Sequence, residues 1–151
     1  MNKNVLAFVT ILGLSSTGIV LGEEIAIKGH SVYTLEESER IEQDDGTVLV
    51  HETSRGFAVP ETEPVQNEDC WGTRLMKSEN NWTGGGFCVG VNTEGDMYWV
   101  WWKGNQDGET WGYLGGTGRF EGRSGGGDSR MIRTWADGKA AYSWDGTYEK
   151  K

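Results

Sequence analysis

The chain has 151 residues, a formal net charge of −9, eight tryptophans and two cysteines. That length suits one domain. Such an excess of acid repels phosphate backbones and anionic lipid surfaces, which excludes nucleic acid as a partner.

Residues 1–22 read as a secretion signal peptide. Lys3 supplies a weak positive start, Val5 to Leu21 is apolar apart from scattered Ser, Thr and Gly, and Val20-Leu21-Gly22 offers a small-residue cleavage site before Glu23-Glu24. A retained anchor is the alternative, but the segment is short and soft for a permanent span of ~20 residues. The expected destination is export, to the periplasm or the extracellular space, with no membrane association after cleavage.

Residues 23–46 form an acidic lead-in and the first hairpin. Between residues 23 and 70 there are 13 acids and 3 bases, a bias that reads as solubility rather than as an acidic interaction surface. Thr34-Leu-Glu-Glu37 matches a capping box and offers a short helix. Asp45-Gly46 offers a tight two-residue hairpin instead, ahead of the β-rich run Thr47 to Thr53. A hairpin accounts for both flanks and is preferred. Residues 59–69 hold both prolines and four acids, and predict a loop across one end of the domain.

From Cys70 onward the character changes. All eight tryptophans and 18 of the 24 glycines lie there. Short aromatic segments alternate with Gly, Asn and Asp turns, which predicts strands near 70–78, 85–92, 96–103, 109–114, 117–123, 127–135 and 139–149. Glu94-Gly95, Gln106-Asp107-Gly108 and Ala136-Asp137-Gly138 are the expected turns. With the first hairpin the total is eight or nine strands. No apolar segment repeats at helical spacing, so the fold is all-β. The run from Gly115 to Gly127 sets Phe120 among seven glycines. Glycines at sharp corners let a sheet coil shut, and closure removes exposed edges, so a barrel is preferred to a sandwich.

Cys70 and Cys88 are an even pair in an exported chain, which favours a disulfide. His30 and His51 are isolated, which leaves no metal site and no Ser–His–Asp arrangement. The glycine triplets 84–86 and 125–127 lack the lysine and following helix of a phosphate loop. Asp128 is at most a marginal general base. No catalytic residue and no cofactor is therefore assigned. Asn81-Trp82-Thr83 fits a glycosylation sequon, relevant only to a eukaryotic source.

The segment Asp96 to Lys103 is apolar on both faces. Met97, Trp99 and Trp101 share one face, and Tyr98, Val100 and Trp102 share the other. Such large aromatics can fill a barrel or line a cavity in it. The candidate lining residues are Met97, Trp99, Trp101, Phe87, Trp111 and Phe120, and the expected partner is a small hydrophobic ligand.

The runs Thr83 to Gly90, Glu94 to Trp99, Leu114 to Gly127 and Trp144 to Glu149 resemble the allene oxide cyclase barrel-like family, in its small exported bacterial members more than its plant enzymes. Related calycin-like and dirigent-like barrels carry cousins of the Gly-Gly-Thr-Gly-x-Phe-x-Gly piece. The resemblance covers roughly residues 47–149 and places the barrel over 47–151. It implies a single antiparallel eight-stranded, calycin-like β-barrel with an apolar cavity. It also supports the Cys70–Cys88 pair. The family's plant enzymes cyclise an unstable fatty-acid epoxide by steering its conformation, and none of their catalytic residues can be placed on this chain.

The leading expectation is a barrel that binds a small apolar or amphipathic ligand. The rivals are a cofactor-free cyclase or isomerase, a dirigent-like stereo-controlling protein, and a filled barrel acting through its surface.

Overall fold

A computed structural model describes residues 23–78 and 80–150. The signal peptide expected over residues 1–22 lies outside the described residues. Eight antiparallel strands run in chain order around a closed barrel: β1 (Glu24–Glu42), β2 (Val48–Pro60), β3 (Gln66–Ser78), β4 (Asn81–Asn92), β5 (Met97–Asn105), β6 (Gly108–Gly116), β7 (Arg123–Thr134) and β8 (Lys139–Lys150). Each strand pairs with the next, and β1 closes the wall against β8, from Glu24 opposite Glu149 to Thr34 opposite Lys139.

The turns form where the sequence supplies residues that tolerate positive φ. Gly46, Gly95 and Gly138 sit at φ +82°, +87° and +82°, a region that costs other residues steric strain. Side chains reinforce two of these turns. Asp45 accepts the Thr47 N–H, and Asn92 accepts the N–H groups of Glu94 and Asp96.

The preferred first hairpin forms, with Thr34 to Glu37 inside β1, because the long β1–β2 pairing satisfies its backbone. Several other expectations need correction. β1 is a full stave of the wall, so the barrel begins at Glu24. The predicted loop 59–69 shrinks to residues 61–65, since β3 already starts at Gln66. Residues 117–123, expected as a strand, instead make a single 3₁₀ turn, Gly118–Phe120, with Gly118 and Gly122 at φ +54° and +72°. That turn interrupts the wall, and β6 pairs with β7 only from Glu109 to Gly112, opposite Ser129 to Gly126.

Residues 61–65, 93–96 and 117–122 connect the strands at one end, where the Phe120 ring is 1% exposed and packs against Tyr98 and Arg123. This end is the floor. The other end, ringed by residues 43–47, 106–107 and 135–138, is the mouth. The core sits against the floor, where Cys70, Cys88, Tyr98, Val100 and Phe120 pack together.

Candidate functional site

Side chains alternate in and out along each strand. The inward set encloses a cavity of about 320 Å³, which lies in the range of small-molecule sites. The interior is therefore not filled.

Near the floor the cavity wall carries a buried carboxylate. Glu68 on β3 is 5% exposed. The phenols of Tyr33 on β1 and Tyr98 on β5 each donate to one of its oxygens. Both rings need the space of a missing Cβ on a neighbouring strand. A Cβ on Gly90 would fall 2.1 Å from Tyr98, and one on Gly56 would fall 2.7 Å from the Tyr33 ring. Burial raises the Glu68 carboxyl above its ordinary range, and the two phenol donors only partly oppose this. Burial and the adjacent carboxylate hold both phenols well above the usual tyrosine range, so they remain proton donors.

The floor is closed by a second constellation. Arg123 makes two bonds to Glu63, at 2.7 and 3.1 Å, and its guanidinium lies 4.0 Å from the Tyr148 ring centre and 4.7 Å from that of Phe120. Such a fork is strong when desolvated, and the Arg123 side chain is only 5% exposed. Tyr113 beside it is pushed up to about 12 by burial.

Toward the mouth, Arg74 lies between two acids, 3.1 Å from Glu52 and 3.7 Å from Glu109. Its guanidinium faces Trp82 at 4.7 Å and Trp102 at 5.6 Å. Burial raises Glu109, against the pull of Arg74. A network of edge-on aromatic pairs covers much of the rest: Trp111 meets Trp144 at 6.0 Å and Tyr113 at 5.5 Å, and Tyr33 meets Tyr142 at 5.9 Å. Two buried donors on the cavity wall, Trp111 Nε1 and Arg74 Nε, have no protein partner.

The sequence candidates divide between the two sides of the wall. Trp111 and Phe120 line the cavity. On β5 it is Tyr98, Val100 and Trp102 that point inward, so Met97, Trp99 and Trp101 take the outer face. Phe87 is also outside, 48% exposed, and with Trp71, Trp99 and Leu114 frames a shallow surface depression. Trp101 lies across Gly112 with Lys103 5.4 Å from its ring. Asp128, His30 and His51 are exposed. Cys70 and Cys88 form the disulfide across directly paired positions of β3 and β4, on the cavity side. Among the described residues no three His, Cys, Asp or Glu side chains gather to hold a metal ion.

Glu68, Tyr33, Arg74 and the Glu63–Arg123 pair were not among the sequence candidates. A signal was present, because Gln66, Glu68 and Cys70 alternate with Asn67, Asp69 and Trp71. If the cysteines face inward, Glu68 must share their face.

No protein-family model matches the chain, and no curated protein matches it. Solved structures do. The pterocarpan synthase dirigent protein GePTS1 superposes with a TM-score of 0.55 at 11% identity, over 97% of this chain and 100% of that one. The pterocarpan synthase dirigent protein PsPTS1 gives 0.54 at 10% identity, over 85% of this chain and 97% of its own. The chain thus has a dirigent-type barrel fold.

Proposed function

We propose that this barrel holds one small apolar or amphipathic molecule in its chamber and controls the stereochemical course of that molecule's reaction, as a dirigent-like protein. The observation that carries the reading is the chamber itself: about 320 Å³, walled by aromatic rings, with the Tyr33–Glu68–Tyr98 group at its inner end. Rings fix the plane of a bound molecule, and a few convergent polar groups fix its direction. Restricting a reactive molecule to one conformer selects one product without a nucleophile or cofactor. The similar solved structures, both pterocarpan synthase dirigent proteins, support the same reading.

A cofactor-free cyclase or isomerase of the allene oxide cyclase type is the second reading. Glu68 favours it, because a buried carboxyl with a raised pKa between two phenols is suited to moving a proton. Export to the periplasm or outside the cell fits either reading and is supported by the disulfide. No helix among the described residues is long and apolar enough to cross a membrane.

The test uses the neutral probe N-phenyl-1-naphthylamine. It is expected to quench tryptophan emission at one site per chain. Ser54→Phe, which fills the chamber from the wall of β2, is expected to abolish that signal while the circular dichroism spectrum stays unchanged. Absent or undiminished quenching in these two experiments would overturn the chamber as the binding site.

A further inference from the structure

The charges inside the chamber do not balance. Glu52, Glu63, Glu68 and Glu109 face it, and Arg74 and Arg123 are the cations set among them. Arg123 is committed to Glu63 at the floor, and Arg74 is shared by Glu52 and Glu109 toward the mouth. Lys139 stands at the rim and turns to Asp137. Glu68 is left with two neutral phenols and no cation. It is also the most deeply buried of the four acids. A buried carboxylate without a counter-charge is costly, and the cost is removed when a cation arrives.

The surroundings of Glu68 suit a particular kind of cation. Tyr33 and Tyr98 stand at this end of the chamber, and aromatic faces attract positive charge; the Phe120 ring beyond Tyr98 already carries the Arg123 guanidinium. Both Glu68 oxygens already accept a phenol proton. A cation that needs no hydrogen bond is therefore better matched than a primary ammonium. The chain's net charge of −9 draws cations toward it and repels anions.

We propose that the chamber selects organic cations, molecules with a compact apolar body carrying a permanent positive charge that settles beside Glu68 and the Tyr33 and Tyr98 rings. This inference rests on the chamber being the ligand site and adds the charge class of its ligand. Fatty-acid anions and other carboxylates are excluded by the same field.

Three ligands of one shape test it by calorimetric titration: benzyltrimethylammonium, its neutral carbon isostere neopentylbenzene, and the anion benzylsulfonate. The cation is expected to bind at least tenfold tighter than the neutral isostere, and the anion not at all. Glu68→Gln is expected to erase the tenfold advantage, bringing the affinity for the cation to within about twofold of that for neopentylbenzene measured on the same variant. Asp128→Asn, which removes one negative charge from the outer surface, is expected to change neither.

Equal binding of the cation and the isostere, preference for the anion, or an advantage that survives Glu68→Gln would each overturn the inference. If all three fail while N-phenyl-1-naphthylamine binds, the charge class is wrong and the chamber stands. If that probe fails as well, the chamber reading falls with it. Should Glu68→Gln not fold, the comparison of the three ligands on the unaltered protein still decides.

Discussion

The floor and the mouth of the barrel are built from the same strands on different terms. At the floor, charge is sealed. Phe120 is 1% exposed, and Arg123 and Tyr148 are 7% and 8% exposed. Toward the mouth, charge stays within reach of water. The side chains of Arg74, Glu52 and Glu109 are 21%, 20% and 14% exposed, and Leu35, Met131 and Trp135 at the rim are each more than two-fifths exposed. The contrast teaches where stability and where adaptability reside. A closed barrel does not need both ends packed, and packing one end leaves the other free to admit a guest.

This contrast can be broken at the floor first. Phe120→Ala removes a fully buried ring and is expected to lower stability by about 3–5 kcal/mol, the usual cost of such a truncation. Urea denaturation measures it, and a loss under about 1 kcal/mol would mean that the floor is not the structural end.

The next largest effect is expected from the disulfide. Replacing Cys70 and Cys88 together by Ala frees a loop with a sequence separation of 18 and is expected to cost about 3 kcal/mol by chain entropy. The same denaturation experiment, compared with and without reductant on the unaltered protein, checks it.

The smallest effect is a pH dependence. Burial raises Glu68 above its unfolded value. Between those two values the folded chain holds a proton that the unfolded chain has lost. Its contribution to stability is therefore fully present below the ordinary carboxylate range and is lost as pH rises through the raised value. Glu68→Gln is expected to flatten the denaturation midpoint over that window. Parallel pH profiles for the two proteins would show that Glu68 titrates normally.

Much of the architecture can be read from residue order alone. Asp45-Gly46, Glu94-Gly95 and Asp137-Gly138 mark turns whose glycines do adopt positive φ, and strand spacing predicts the antiparallel barrel. The site is harder to read, for two physical reasons. From Asp96 to Lys103 both faces are apolar, so alternation cannot say whether Trp99 or Trp102 points inward. At Gln66 to Asp69 the inward residues are themselves polar, Gln66 and Glu68 at 3% and 5% exposure. A strand that buries polar groups looks like a loop to any argument based on hydrophobic alternation. The turn Gly118–Phe120 hides for a related reason, because glycine tolerates a corner and a strand alike.

The short β6–β7 ladder separates the staves most lightly tied to each other. Parting them sacrifices fewer backbone hydrogen bonds than parting any other neighbours, and local opening follows the path that breaks least. The wall thus has its weakest seam down one side, and Trp111, which belongs to that ladder, is the ring whose surroundings an opening there would disturb first.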